Sequence, residues 1–310
     1  MLWVNVVKKV VLIGGGHGLS ALVSGFKNEE VDVSIIVSST DDGGHTGKLR
    51  NEFKCVAVGD LRMVLNEFIN DNSILKEVFN YRFSSLHENK NISLGNLIIV
   101  SLIEKYKDID KVIECFRVKE NIRPHLYMSS NTPHTLCAEC NDGKIVEFER
   151  NIGETNCNIK RLFVDGNPVC NEEMLGKIID ADIIVLSPGS LYTSVGAVLC
   201  IDKIKSAIKL SAATIIYVCN VMTQDGETKG FTVENHVEAL ENIMEKKINR
   251  VIVNNGAIPD DVLEKYKEEN SYVVVFDNKR TDYETYDLIE IKEGKIRHNS
   301  DIVKKIILNQ

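Results

Sequence analysis

Six short β-branched runs alternate with helical patterns along the chain, and this alternation constrains the fold more than any other feature. Each run is almost continuously apolar and is bounded by glycine, asparagine or aspartate, which is typical of strands covered on both faces. Strands that alternate with helices form βαβ units, so we predict an α/β fold with a mostly parallel, doubly wound sheet. The runs are Val6–Ile13, Val31–Ser38, Asp182–Leu186, Thr214–Cys219, Arg250–Val253 and Tyr272–Phe276.

Two segments interrupt this alternation. Residues 61–119 contain consecutive helical patterns, which predict a helical cap on the sheet. Residues 124–165 contain alternating runs around an Asn-Asp-Gly turn, which predict a small antiparallel β-hairpin insert. We therefore expect one α/β domain over residues 1–310 with both segments inside it. The other predicted helices are His17–Lys27, Leu191–Leu210, Val233–Met244 and Asp260–Glu269.

The charge balance and the apolar pattern exclude two classes of protein. The 310 residues carry a formal net charge of −8, whereas a non-specific nucleic-acid binder needs a basic surface. No stretch approaches the roughly 20 apolar residues of a membrane span. The N-terminal apolar run leads straight into the first strand without the pattern of a signal peptide, so we expect a cytoplasmic protein.

The eight cysteines lie mostly in apolar runs, such as those around Cys200 and Cys219. We expect them to be small buried thiols in a reducing compartment. Cys137 and Cys140 have C-x-x-C spacing, but no second pair with zinc-site spacing follows them. We therefore predict neither a metal role nor a redox role for this pair.

A glycine-rich turn, Gly14–Gly18, connects the first predicted strand to a helix. Glycine lets the backbone approach a ligand closely, and the N-terminus of the helix offers free N–H groups to an anion. The last glycine comes too early for a G-x-G-x-x-G fingerprint, and no acidic residue ends the second strand, so an NAD-type module is disfavoured. The alternative is a tight turn without a ligand. The candidate phosphate-binding residues here are Gly15, Gly16, His17 and Gly18.

The loop after the second strand lies at the same predicted edge of the sheet. Its aspartates, Asp41 and Asp42, are candidate oxygen ligands for Mg²⁺, the one candidate cofactor. Its glycines and threonine are suited to cradle phosphate, and its basic residues to neutralise it. A solvated surface loop is the alternative. The candidate phosphate-binding residues of this loop are Gly43, Gly44, Thr46, Lys48 and Arg50.

Polar turns also follow the strands that end at Leu186 and Cys219. Two anion-binding turns on one sheet favour a diphosphate or two phosphorylated ligands, held at the carboxyl ends of the strands. The candidate binding residues of these turns are Gly189, Ser190, Thr193, Asn220, Thr223 and Gln224.

Residues at helix starts complete the candidate set. Asn96 is suited to contact a base or a sugar, and Asp60 fits either an N-cap or a ligand contact. No Ser-His-Asp set is recognisable from spacing, and we expect His236 to be structural. No catalytic residue is assigned.

Together these motifs resemble the family of the bacterial gluconeogenesis factor, the YvcK-like proteins, which are related to 2-phospho-L-lactate transferase. The likeness extends from about residue 9 to Arg297. Three positions depart from the family pattern: His17 replaces a threonine, His45 a serine and Ile92 a histidine. The last departure weakens the case for a transferase-type active site. The motifs are Gly14–Ser20, Asp41–Arg50, Gly59–Arg62, Ser93–Asn96, Ser187–Ser194, Asn220–Thr228 and His236–Leu240.

The resemblance implies a Rossmann-like fold that binds a UDP-sugar such as UDP-N-acetylglucosamine. It implies a regulator that supports cell shape and cell-wall precursor supply, and it assigns Tyr266 and Arg297 to the nucleotide sugar. Physically, an aromatic ring stacks on uracil and an arginine binds a diphosphate. We also expect a homo-oligomer and a protein partner, whose identity the sequence does not give.

Two hypotheses about activity are left open. The leading one is a ligand-sensing regulator without catalytic turnover. The alternative is a Mg²⁺-dependent phospho- or nucleotidyl transferase, in which positioning and charge neutralisation suffice for catalysis.

Overall fold

A computed structural model describes residues 7–27, 30–84, 91–155, 157–276 and 283–309. Its main element is a seven-stranded sheet in the order β10-β9-β8-β7-β1-β2-β3, with every neighbouring pair parallel. The predicted Rossmann-like α/β class is therefore confirmed. Its strands are β1 (Lys9–Gly14), β2 (Asp32–Val37), β3 (His125–Met128), β7 (Ile183–Leu186), β8 (Thr214–Val218), β9 (Arg250–Asn254) and β10 (Tyr283–Tyr286).

Two small antiparallel sheets accompany the main one. The larger has the order β5-β4-β6, and the smaller pairs β11 with β12. Their strands are β4 (Thr135–Cys140), β5 (Ile145–Glu147), β6 (Ile159–Asp165), β11 (Ile289–Lys292) and β12 (Lys295–His298).

Helices cover both faces of the main sheet, and the predicted helical cap corresponds to α3–α6. A π-helical turn, Leu191–Gly196, precedes α9. Among the described residues, none of the helices has the length and apolar character needed to cross a membrane. The helices are α1 (Gly16–Val23), α2 (Gly44–Phe53), α3 (Gly59–Phe68), α4 (Ile74–Asn80), α5 (Leu94–Tyr106), α6 (Ile109–Lys119), α7 (Glu149–Glu154), α8 (Glu172–Ile179), α9 (Ala197–Leu199), α10 (Asp202–Leu210), α11 (Val233–Met244), α12 (Asp260–Glu268) and α13 (Ser300–Leu308).

Strand β1 explains why the predicted strands are apolar throughout. Val11 and Ile13 belong to the hydrophobic cluster on one face of the sheet, whereas Val10 and Leu12 belong to the cluster on the other. Alternate side chains of a strand point to opposite faces, so a strand with two covered faces needs no polar residue. Because β1 lies between β2 and β7, the strand order reverses beside it, which is where ligands bind to open α/β sheets.

Several segment predictions are wrong at their edges. Residues 125–128 were assigned to the hairpin insert, but β3 pairs with β2 in the main sheet, and the insert's sheet begins at Thr135. The run Tyr272–Phe276 is not a strand of the sheet. It lies antiparallel to the chain after β8 through one bridge between Met222 and Val273, and β10 is the edge strand. Val6, the first residue of the first predicted strand, lies outside the described residues.

Two helix predictions also need correction. The single helix expected over residues 191–210 is divided into the π-helical turn, α9 and α10, with a break at Cys200 and Ile201. Val58 is the N-cap of α3, and Asp60 lies in the first turn of that helix. The carboxylate of Asp60 is therefore available for another contact.

One expectation about the cysteines is wrong. Cys140, at the end of β4, forms a disulfide with Cys157, with their Cα atoms 5.9 Å apart. Cys137, the other member of the C-x-x-C pair, is a buried thiol, as are most of the remaining cysteines. The disulfide closes a segment that contains β5 and α7.

Candidate functional site

A cleft of about 440 Å³ lies across the carboxyl ends of β1, β7 and β8. It is bounded by the N-terminus of α1, by the turns after β7 and β8, and by α7, α12 and β12. Residues from the turns after β1, β2, β7 and β8 all line this cleft. The predicted residues that line the cleft are Gly15, Gly16, His17, Gly18, Asp41, Gly189, Ser190, Asn220, Gln224, Tyr266 and Arg297.

The turn after β1 touches the turn after β7 directly. A Cβ atom on Gly18 would overlap the carbonyl group of Pro188, so only glycine fits at this position. Gly189 follows with a φ of +140°, which other residues rarely adopt. The two glycines thus let two backbone segments form the floor of the cleft.

Asn220 holds the second turn in place. Its Oδ1 accepts a hydrogen bond from the N–H of Gly189 at 2.9 Å, and its Nδ2 donates to the carbonyl oxygen of Gly189 at 2.6 Å. Nearby, Nε2 of Gln224 donates to Oγ of Ser190 at 2.9 Å. The side chains after β8 therefore position the turn after β7 and also line the cleft.

The two aspartates of the loop after β2 have different surroundings. Asp41 lines the cleft, and its Oδ1 accepts a hydrogen bond from the N–H of Gly43 at 2.9 Å. Asp42 turns toward α7, where its two oxygens accept from the N–H groups of Glu149 and Arg150 at 2.9 and 3.0 Å. Asp42 thus satisfies the free N–H groups at the start of α7.

Three carboxylates line the cleft, and we call Asp41, Asp60 and Glu149 the acidic wall. Burial raises the pKa of all three. Repulsion from Asp42 adds to the rise for Asp41, and repulsion from Asp41 adds to the rise for Asp60 and Glu149. The pKa of Asp60 reaches about 7 although the N–H of Gly16 and the charge of Arg62 oppose the rise. Groups with such shifted pKa values cluster at functional sites.

Two further side chains that line the cleft, His17 and Arg297, are basic residues, and we call them the basic wall. Burial lowers the pKa of His17, and the charges of Arg297 and Lys295 lower it further. Tyr266, on α12, lies beside this wall, and its hydroxyl accepts a hydrogen bond from the N–H of Ile296 at 3.0 Å. An aromatic ring and the residue before Arg297 are therefore in direct contact at the cleft.

An acidic side pocket of about 290 Å³ adjoins the cleft and shares Asp41, Glu149 and Gln224 with it. Two predicted residues, Gly43 and Thr193, line this pocket instead of the cleft. Thr193 donates its hydroxyl hydrogen to the buried carboxylate of Glu227, which also accepts from the N–H of Tyr192.

The remaining predicted residues line neither cavity. Arg50 is buried and donates to the carbonyl oxygens of Thr40 and His134. It therefore holds the loop after β2 in place and does not face the cleft. Thr223 accepts a hydrogen bond from the N–H of Tyr272 at 2.9 Å. Asn96 is buried in the first turn of α5. The full set outside both cavities is Asp42, Gly44, Thr46, Lys48, Arg50, Asn96 and Thr223.

Several residues that line the cleft are not predictable from the sequence motifs. Glu149 is distant in sequence from every motif and reaches the cleft only because α7 docks on Asp42. His298 lies one residue after Arg297; burial lowers its pKa to about 4, so it is neutral at pH 7. Ser194 was within a recognised motif, and the π-helical turn directs it into the cleft.

Magnesium fits this site only in part. Across the described ranges, no three acidic, histidine or cysteine side chains are grouped as a metal site. Mg²⁺ often needs only one or two carboxylates when phosphate oxygens and water complete its shell. Asp41 would be the protein ligand, and the ion would neutralise phosphate charge; Asp42 as a second ligand stays a prediction.

The fold and the cleft define a Rossmann-like α/β protein with a candidate ligand site at the carboxyl edge of its sheet. The family model described as 2-phospho-L-lactate transferase CofD matches residues 10–292, and the chain belongs to this family.

Relatives within the family are named for a different role. The chain is 34% identical to the gluconeogenesis factor of Bacillus subtilis, covering 96% of this chain and 93% of the relative. It is 35% identical to the gluconeogenesis factor of Halalkalibacterium halodurans, covering 97% and 96%. A crystal structure of a UPF0052 family protein from Bacillus halodurans superposes with a TM-score of 0.92 at 34% identity, covering 97% of this chain and 99% of that one.

Proposed function

We propose that the protein is a cytoplasmic regulator that binds a UDP-sugar such as UDP-N-acetylglucosamine in the cleft. The observation that carries this proposal is the convergence of the two glycine turns, Tyr266 and Arg297 on one cavity. Its volume of about 440 Å³ is within the range of small-molecule sites, which is roughly 300–1,000 Å³.

Each part of a UDP-sugar has a complementary surface in the cleft. The diphosphate suits the N-terminus of α1 and Arg297, because backbone N–H groups and a guanidinium bind phosphate oxygens. The uracil suits the ring of Tyr266. The hydroxyl groups of the sugar suit the acidic wall, whose oxygens accept hydrogen bonds.

The regulator role rests on the names of the relatives, which describe a factor and not an enzyme. In this role the ligand-bound protein supports cell shape and cell-wall precursor supply by changing its contacts with a protein partner. A cell that lacks its own gluconeogenesis factor provides the test. Expression of this chain should restore normal shape during growth on gluconeogenic carbon, and an Arg297→Ala variant should not.

Direct binding tests the ligand. In a thermal-shift titration, a ligand at 100 times its Kd stabilises the folded protein by about 2.7 kcal/mol. We expect this stabilisation from UDP-N-acetylglucosamine at lower concentrations than from GDP or NAD. Failure of UDP-N-acetylglucosamine to stabilise the protein, with or without Mg²⁺, would contradict the proposal.

Variants at Tyr266 and Arg297 test where the nucleotide binds. Tyr266→Ala and Arg297→Ala should each weaken binding at least about tenfold, which corresponds to about 1.4 kcal/mol. Isothermal titration calorimetry measures the change. Tyr286→Ala and Lys292→Ala are matched controls outside the cleft and should bind as the unaltered protein does. Unchanged affinity in both cleft variants would remove these residues from the site.

A transferase remains the second candidate because the family model is that of 2-phospho-L-lactate transferase. The acidic wall beside the phosphate-binding turns favours it, since carboxylates with raised pKa values are suited to proton transfer. Incubation with each nucleotide and Mg²⁺, followed by chromatography, separates the candidates. Steady release of UMP, UDP or GMP would contradict the regulator hypothesis and support the transferase hypothesis.

A further inference from the structure

The disulfide between Cys140 and Cys157 lies in a protein for which we propose a cytoplasmic location. Disulfides in a reducing compartment are usually transient and either catalytic or redox-sensing. Five of the other cysteines are buried, and burial raises the pKa of each of their thiols. Because the thiolate is the reactive form, those five cysteines are unreactive. The pair is therefore a distinct position for thiol chemistry in this chain.

The two cysteines of the pair differ in exposure. Cys140 ends β4, is buried and belongs to the hydrophobic cluster on one face of the main sheet. Cys157 is half-buried and packs against the same cluster. An attacking thiolate must reach one of the two sulfur atoms, so Cys157 is the position that is open to exchange.

Helix α7 connects this pair to the cleft. Cys157 follows the last residue of α7, Glu154, by three positions. Ile152, in α7, is fully buried in the hydrophobic cluster that contains Cys140. A helix of six residues is not stable alone, so α7 depends on its attachments to the rest of the fold.

Both ends of α7 contact segments that form the cleft. At its N-terminus, the carboxylate of Asp42 accepts hydrogen bonds from the N–H groups of Glu149 and Arg150 at 2.9 and 3.0 Å. Near its C-terminus, the carbonyl oxygen of Gly153 lies so close to Gly226 that a Cβ atom on Gly226 would overlap it. Asp42 belongs to the loop after β2 and Gly226 to the turn after β8, and both segments contribute residues to the cleft. A displacement of α7 therefore acts on two segments that line the cleft.

We propose that Cys140 and Cys157 form a reversible thiol–disulfide modification site, and that the oxidised pair holds the loop after β2 and the turn after β8 in the arrangement that binds the ligand. The effect on ligand affinity rests on the proposed function. Its physical reason is preorganisation, because a segment that is ordered before binding loses little entropy when the ligand binds. Reduction releases the C-terminal end of α7, so the ligand must then order this helix and its contacts.

The exchange uses a low-molecular-weight thiol such as glutathione as its co-reactant. The glutathione thiolate attacks Sγ of Cys157, the S–S bond breaks, and Cys140 leaves as a thiolate that takes up a proton. A second glutathione thiolate attacks the glutathione sulfur of this mixed disulfide and releases Cys157 as a thiolate, which is also protonated. The pair thus gains two electrons and two protons, and two glutathione molecules are oxidised to glutathione disulfide.

Equilibration of the folded protein at graded ratios of reduced to oxidised glutathione tests the exchange. Alkylation of free thiols followed by mass spectrometry measures the oxidised fraction. We expect the pair to change from disulfide to dithiol as the ratio rises, and to re-form the disulfide when oxidised glutathione is restored. Cys115→Ala removes the half-buried thiol on α6 and should show the same dependence. A pair that stays in one state at every ratio would overturn the modification site.

Hydrogen exchange of the oxidised and reduced proteins tests the link to the cleft. Reduction should speed exchange at least about tenfold in residues 41–47 and 224–228. Residues 109–119 of α6 are the control, because α6 packs against the cluster on the opposite face of the sheet. The double variant Cys140→Ala with Cys157→Ala should exchange as the reduced protein does in both buffers. An equal increase in α6, or no increase in the two segments, would refute the link.

Titration calorimetry with UDP-N-acetylglucosamine tests the consequence for binding. We expect the reduced protein and the double variant to bind at least about tenfold more weakly than the oxidised protein. Equal affinity of the two states would overturn the inference and leave the proposed function in place. Absence of binding in both states would overturn the proposed function, and the hydrogen-exchange result would then decide whether the pair controls the two segments.

Discussion

Replacing Asp60 with asparagine should stabilise the protein at pH 8 by about 2–4 kcal/mol, and this gain should shrink steadily as the pH falls toward 4. Asp60 is buried, and its pKa is raised to about 7. Since one pKa unit corresponds to about 1.4 kcal/mol, the rise from 3.8 limits the effect to about 4 kcal/mol. Asparagine has nearly the same shape and never ionises.

The direction follows from proton binding. Between pH 4 and pH 7 the folded protein keeps the proton on Asp60 that the unfolded chain releases, so the folded state loses stability as the pH rises. The repulsion from Asp41 acts in the same direction, whereas the charge of Arg62 opposes it. The unaltered protein should therefore become less stable across this window, and the difference from Asp60→Asn should grow.

Urea denaturation at pH 5, 6, 7 and 8 in EDTA measures the difference. Asp165→Asn, at an exposed position in β6, is the matched control and should follow the unaltered protein at every pH. A stability difference that stays constant with pH would show that Asp60 ionises normally. If Asp60→Asn is more stable than the unaltered protein at pH 8, the ionised carboxylate destabilises the fold and is retained for function.

Removing the disulfide between Cys140 and Cys157 should destabilise the protein by about 3 kcal/mol. A closed loop of about 15 residues is worth about 3 kcal/mol in the chain-entropy model, and this pair is separated by 17 positions. The closed segment contains α7, whose six residues are too few to form a stable helix alone. Loss of the link should therefore loosen α7, which holds Glu149 at the cleft.

Denaturation with and without dithiothreitol measures the first effect, and hydrogen exchange of residues 145–155 measures the second. The double variant Cys140→Ala with Cys157→Ala should match the reduced protein and show no response to dithiothreitol. Cys115→Ala, which removes a thiol on α6, should respond as the unaltered protein does. Equal stability of the oxidised and reduced forms would contradict the prediction.

The sequence predicts the main sheet because its strands are buried on both faces and therefore apolar throughout. It fails at Tyr272–Phe276, which has the same composition but exposes Tyr272 and Val275. The local sequence does not distinguish such a run from a strand of the sheet, because the difference depends on the segment with which it pairs in the fold. The edge strand β10 contains threonine and glutamate and was not recognised.

The backbone turns of the candidate site can be predicted from the sequence because they require glycine. Which side chains face the cleft is harder to predict. Glycine turns after strands identify the floor of the cleft from composition alone. Asp41 and Asp42 are indistinguishable in sequence, yet one faces the cleft and the other holds α7. Glu149 and Asp60 line the same cleft because of tertiary packing, and no local sequence pattern indicates that they do.

The contact between Gly18 and Pro188 limits how the cleft can adapt to different ligands. Main chain meets main chain there, so no side chain can rotate aside to create room. A larger ligand must find its extra space elsewhere along the lining, to which α7 and β12 contribute side chains. We therefore expect relatives that accept ligands of different size to differ in α7 and β12 and to keep the same floor of the cleft.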